Sequence, residues 1–104
     1  MFAKKDLLYV KSSKNLVYNL DNKIEEFLTE IVENVKIERK KRDISQLKLA
    51  NILGFQSPNY IAKIETRKHG ASYNISHLYQ IATAFEMEVI DLIPEIRNDT
   101  HFKN

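Results

Sequence analysis

Apolar residues recur along most of this chain at spacings of three and four, the period of a helix that buries one face. Between residues 22 and 42, Ile24, Phe27, Leu28, Ile31 and Val35 fall on one stripe, which predicts a single long helix. Asp21 or Asn22 is placed to cap it. Glu25 and Glu26 suit its positive N-terminal end, and Lys40, Lys41 and Arg42 its negative C-terminal end. Ser45 to Glu65 (SQLKLANILGFQSPNYIAKIE) then reads as two short helices joined by a tight turn. In the first, Ser45 is the N-cap, Leu49, Ala50 and Leu53 share a face, and Gly54 stands where a left-handed residue closes a helix. In the second, Ser57 and Pro58 read as N-cap and first helical residue, because proline lacks only an N–H that would be orphaned there. Ile61 and Ile64 face inward. Thr66 to Tyr73 is a polar loop containing Gly70. Asn74 caps a fourth helix reaching Phe85, with Leu78, Ile81, Ala82 and Phe85 inward. Glu88 precedes a fifth, short helix carrying Val89, Leu92 and Ile93, and Pro94 ends it.

The first 21 residues break this rhythm. Residues 7–10 (LLYV) and 16–20 (LVYNL) are short β-prone runs about a polar link, which predicts either a β-hairpin or a loose arm. An isolated hairpin is marginal in water, so such an element needs the helical body or a second chain to pack on. Residues 95–104 read as a polar tail. The expected architecture is all-α with five helices over residues 22–94 and a short N-terminal β-hairpin or arm over residues 1–21.

Composition narrows the class. At 104 residues one domain is expected. With no cysteine there is no disulfide framework, thiolate zinc site or cysteine nucleophile. No apolar run reaches the length of a membrane span. The opening MFAKKDLLYV lacks the apolar core and cleavage site of a signal peptide. A cytoplasmic protein without a membrane partner is the expectation. His69, His77 and His101 share no metal-ligand spacing, and no phosphate loop or nucleophile motif occurs, so neither an enzyme nor a cofactor is expected. The net charge of +2 hides an asymmetry. Residues 36–69 hold nine Lys and Arg against three acids, while residues 70–104 hold two against five. Positive charge gathered on one segment is the electrostatic footprint of a nucleic-acid binder, because phosphate neutralisation releases counterions. The plain alternative is a solvated basic face.

Two capped helices about four residues apart describe a helix-turn-helix. The ordered set Arg39, Ser45-Gln46, Leu49-Ala50, Leu53-Gly54, Tyr60-Ile61, Ile64-Glu65, Leu78, Ile81-Ala82 and Phe85 resembles the Cro/phage-repressor (XRE-like) family of helix-turn-helix DNA-binding proteins. The resemblance covers about residues 31–93. The chain departs from the family by one extra residue before Tyr60, by a longer loop after Glu65, and by Arg67 where the family usually has glycine. The resemblance implies that Gln46 contacts the DNA backbone and supports the recognition helix. It also implies a structural ion pair between Arg39 and Glu65, which keeps Arg39 off the contact surface.

In that geometry the second helix of the motif enters the major groove with its N-terminal residues at base edges. Here it opens at Ser57-Pro58-Asn59-Tyr60. Asn59 is the leading base reader, since an Asn amide pairs bidentately with adenine. Lys63, one turn on, reaches guanine acceptors or a phosphate. Both also read as exposed helix filler. Tyr60 either directs its hydroxyl at a phosphate or is simply half-buried. Lys48 and Ser57 complete the helical candidates. Arg67, Lys68 and His69 form either a phosphate clamp, setting affinity rather than sequence choice, or a solvated loop. The function expected is sequence-specific binding of double-stranded DNA by a transcriptional regulator. A single module buries a small surface, which favours a homodimer on a palindrome with half-sites roughly 34 Å apart. The alternative is an antitoxin or adaptor that uses the same fold to bind a protein partner through residues 1–35.

Overall fold

Helix begins well before residue 22. The computed structural model describes residues 10–95, and α1 runs unbroken over Val10–Lys41. It is followed by α2 (Gln46–Ile52), α3 (Asn59–Glu65) and α4 (Ile75–Ala84), with single 3-10 turns at Lys68–Gly70 and Val89–Leu92. The described part is all-α, and among the described residues there is no strand.

Three expectations are corrected. The second arm of the hairpin, residues 16–20, is helix, and Asp21 and Asn22 lie inside α1 rather than at its cap. The reason is visible in the spacing. Val17, Leu20, Ile24 and Phe27 extend the apolar stripe backwards at threes and fours, and the link Lys11–Asn15 holds neither glycine nor proline to turn the chain. Residues 1–9, with most of the first β-prone run, lie outside the described residues, as do residues 96–104 of the tail. The fifth helix is only a 3-10 turn. Pro94 holds Ile93 in extended backbone (φ −97°, ψ 128°), so the helix cannot grow past it.

The core forms where α2, α3 and α4 fold onto the C-terminal half of α1. Ile31, Val32 and Val35 of α1 meet Leu49, Ala50, Leu53, Ile61, Ile64, Leu78, Ile81, Ala82, Phe85 and Leu92, all buried. Every inward residue expected on the three short helices is there. Polar ties fix α1 to the C-terminal elements. The Asn34 amide donates to the Leu92 carbonyl at 3.0 Å. Arg42 donates to the Phe85 carbonyl at 2.9 Å while its guanidinium lies 4.8 Å from the Phe85 ring centroid. That carbonyl is one of the orphan acceptors at the end of α4, so a cation there is doubly favourable.

All four α-helices are followed by a left-handed residue: Asp43, Gly54, Arg67 and Glu86. Three of them close a complete Schellman motif. The N–H groups of Ile44, Phe55 and Met87 reach back to the carbonyls of Arg39, Ala50 and Ala82 at 3.0, 2.8 and 2.9 Å. In each case the residue after the left-handed one packs on the core. The helix ends are thus stapled by backbone and apolar contact together, and glycine is used at only one of them. A non-glycine residue in this conformation loses roughly 1–2 kcal/mol. Glu86→Gly is therefore expected to stabilise the protein by about 0.5–1 kcal/mol, after allowing for the extra freedom of the unfolded chain. Gly54→Ala, where a Cβ would meet nothing within 4 Å, is expected to destabilise it by about 1 kcal/mol through backbone strain alone. Urea denaturation of the two variants checks both signs.

Candidate nucleic-acid interface

The angle between α2 and α3 is held by a charged joint. Arg39, in the last turn of α1, meets Glu65 at the end of α3 through two parallel bonds. Nε lies 2.8 Å from one carboxylate oxygen and a terminal nitrogen 2.9 Å from the other. The remaining guanidinium nitrogen donates to the Ile44 carbonyl at 2.8 Å. Gln46, in the first turn of α2, donates its amide to Glu65 at 2.9 Å. Only 8% and 4% of the two charged side chains are exposed, so the pair is internal. Three helices therefore converge on one carboxylate, and the geometry is the bidentate one that fits guanidinium to carboxylate. Tyr73 is buried close by. Burial, and then the charge of Glu65, push its phenol well above the ordinary tyrosine range.

The helix starts follow from the sequence. The Ser45 hydroxyl accepts the Lys48 N–H at 3.0 Å and caps α2. The Ser57 hydroxyl accepts the Asn59 N–H at 3.1 Å. Pro58 already has helical angles (φ −77°, ψ −2°), and its carbonyl accepts the Ala62 N–H at 2.9 Å. With Ile61 and Ile64 buried against the core, the opposite face of α3 turns to solvent. Asn59, Lys63 and Thr66 lie on that face at helical spacing, all exposed.

The loop after α3 closes a groove against them. Asn59, Ala62, Lys63, Thr66, Lys68 and His69 line an open depression of about 570 Å³. No carboxylate is among its lining residues. The loop is strained at Arg67 and His69, non-glycine residues with positive φ (56° and 54°), while Gly70 takes the same region (φ 72°) without cost. Its shape is held by the Arg67 side chain, which donates to Thr29 at 3.1 Å, to the Gly70 carbonyl at 3.0 Å and to the Ala71 carbonyl, and pairs with Glu25.

Four of the expected contact residues, Asn59, Lys63, Lys68 and His69, are thus brought together. Others are placed elsewhere. Arg67, expected in a phosphate clamp, has its guanidinium committed to Thr29, Glu25 and two loop carbonyls; it braces the loop against α1. The Gln46 amide turns inward to Glu65. The Tyr60 ring lies on Phe55 (centroids 4.4 Å apart), with its hydroxyl 3.3 Å from His77 Nδ1, so it is half-buried in an aromatic cluster. Lys48 is exposed on α2, and Ser57 serves the start of α3; neither lines the groove. Thr66, which the sequence places at the start of the polar loop, lies seven residues from Asn59 and so on the same helical face. His77 gave no local signal, because its partners are 17 and 22 positions away in the chain.

No family model, curated protein or solved structure matches this chain.

Removing one partner of a buried ion pair leaves the other charge unmatched, at about 3–5 kcal/mol. Arg39→Met is expected to destabilise by that amount, and Arg39→Met combined with Glu65→Met by less than the single change. Thermal denaturation of the two would show it, and a double variant weaker than the single one would contradict the joint described here. A second expectation concerns Tyr73. Its folded pKa is raised, so above pH of about 10 the unfolded state loses a proton that the folded state keeps, and stability falls with pH by up to about 1.4 kcal/mol per unit. Tyr73→Phe is expected to remove that part of the decline, read from denaturation midpoints at neutral and alkaline pH.

Proposed function

We propose that the protein is a sequence-specific DNA-binding transcriptional regulator, a Cro/phage-repressor-like helix-turn-helix domain that sets α3 into the major groove. The observation that carries this reading is the groove of Asn59, Lys63, Lys68 and His69 along the exposed face of α3. It offers an amide in the first turn of the helix, two lysines beyond it, and no acid to repel phosphate. The ordered family pattern from Arg39 to Phe85 supports it, as does the excess of basic residues between positions 36 and 69. In this mechanism Asn59 reads a base edge, with adenine the natural partner of its amide. Lys63 binds a guanine acceptor or a phosphate. Lys68 and His69, held by the strained loop, bind the backbone and set affinity. Lys48 reaches the backbone from α2. Two copies on a palindrome supply the specificity that one small module lacks, and occupancy of a promoter or operator is the regulatory act.

A second reading, an antitoxin or adaptor that binds protein through residues 1–35, draws on the exposed Leu20 and Ile24 of α1. No helix of the described residues is long and apolar enough to cross a membrane.

Selection from random duplex DNA at two salt concentrations separates the readings. The DNA reading expects enrichment of a palindrome. Asn59→Ala is then expected to relax preference at one base position, losing about 1–3 kcal/mol on the preferred site only. Lys68→Ala is expected to weaken binding evenly across sequences and to lower the slope of log affinity against log salt by about 1. No binding at either salt would sink the DNA reading.

A further inference from the structure

The apolar stripe of α1 does not stop where the body stops. Val35 and Ile31 are buried beneath α2–α4, and Phe27 is half-buried at the edge. Beyond it, Ile24 is 46% exposed and Leu20 54% exposed. Nothing among the described residues covers them. The helix nevertheless continues for ten residues more, to Val10. A solvated overhang this long is costly unless its face is used, because an isolated helix of this size is marginal in water.

The apolar positions of the overhang fit a heptad pattern. Val10, Val17, Ile24 and Ile31 fall at one heptad position, and Leu20 and Phe27 at the other core position, with Ser13. The first set is wholly β-branched, and the second carries leucine and an aromatic. β-Branched residues at the first core position with leucine at the second favour two parallel strands. Charge points the same way. In a parallel pair, Lys23 faces Leu28 of the second copy and Asp21 meets no second Asp21, so like charges stay apart across the seam. An antiparallel pair centred on Leu20 and Ile24 would set Asp21 against Asp21 and Lys23 against Lys23.

We propose that a second copy of this chain covers the overhang, residues 10–27 forming a short parallel two-stranded coiled coil. The seam is about 27 Å long at 1.5 Å per residue, and buries on the order of 1,000 Å² in total, the low end for a specific interface. The dimer is therefore reversible and concentration-dependent. A parallel arrangement leaves both helical bodies at one end of the coil, on the same side, which suits two adjoining DNA half-sites. The inference rests on α1 alone, however, and holds whether or not the protein binds DNA.

The test uses the full chain without DNA. The sequence has no cysteine, so single thiols report cleanly. Ile24→Cys is expected to give a disulfide-linked dimer under mild oxidation, since the same position meets itself across a parallel seam. Asn22→Cys, on the outer face, is expected to remain monomeric in denaturing gels. Sedimentation equilibrium of the unmodified chain is expected to show a monomer–dimer equilibrium, weakened at least about 100-fold by Leu20→Asp with Ile24→Asp, four apolar side chains lost per dimer. Both positions lie outside the buried core, and circular dichroism would register a collapse of the body. A monomer at every concentration overturns the proposal. So does equal cross-linking of the two cysteine variants, and so does a chain that dimerises only after residues 1–9 are deleted, which would make its own N-terminal segment the cover.

Discussion

The fold turns on the carboxylate of Glu65. It closes α3 and receives a guanidinium from α1 and an amide from α2, while that guanidinium also takes the Ile44 carbonyl that follows α1. A seven-residue helix such as α2 or α3 has too few internal bonds to stand alone. Its orientation must be imposed by packing and by joints of this kind. Apolar contacts between Ala50, Ile61 and Ile64 bring the helices together but resist rotation weakly, since burial is not directional. The forked Arg39–Glu65 bond is directional, and it fixes how far the exposed face of α3 is turned outward. The apolar core brings α2 and α3 together, and the buried polar joint gives their pairing its angle.

Much of this was legible in the chain, for identifiable reasons. Ser45, Asn74 and Gly54 act locally: a side chain meets a backbone group three residues away, or a backbone angle favours glycine, so sequence suffices. The core positions of α2, α3 and α4 follow from helical spacing. The Arg39–Glu65 pair is separated by 26 positions and was expected only through a family resemblance; nothing local predicts it. Residues 16–20 depart from the expected strand because LVYNL satisfies two templates. Its residue types favour a strand, and its spacing continues a helix. The spacing wins once it is followed through Ile24 and Phe27 into the core, where the stripe acquires partners.

The candidate surface shows the limits more sharply. Asn59, Lys63 and Thr66 share a face that a helical wheel predicts. Lys68 and His69 join that face only because the loop bends back, and the bend depends on three residues with positive φ. Sequence rules assign such angles to glycine, which occurs here only at Gly70. Arg67 adopts one while its side chain bonds to Thr29, Glu25 and two loop carbonyls, which offset the strain. By its charge Arg67 fits either a phosphate clamp or a solvated loop; its guanidinium instead has four partners within the protein. Charge alone does not tell a clamp on DNA from a clamp on the fold. What separates them is whether the donors are already engaged.

That same arginine joins the two ends of the molecule's logic. Its partners Thr29 and Glu25 lie on α1 at the point where the helix leaves the body. Glu25 is the immediate neighbour of Ile24 in the exposed stripe, and Phe27 sits between Glu25 and Thr29. The loop presenting Lys68 and His69 is therefore anchored on the stretch of helix that begins the overhang. A helix without proline or glycine, as α1 is, has no site for a sharp kink and curves only gently. A partner that grips the overhang thus orients a rigid rod, and the groove is tied to that rod by bonds rather than by a flexible linker. In a dimer built this way, the separation of the two grooves would follow from the splay of the two α1 helices, and the spacing of half-sites would be a property of α1.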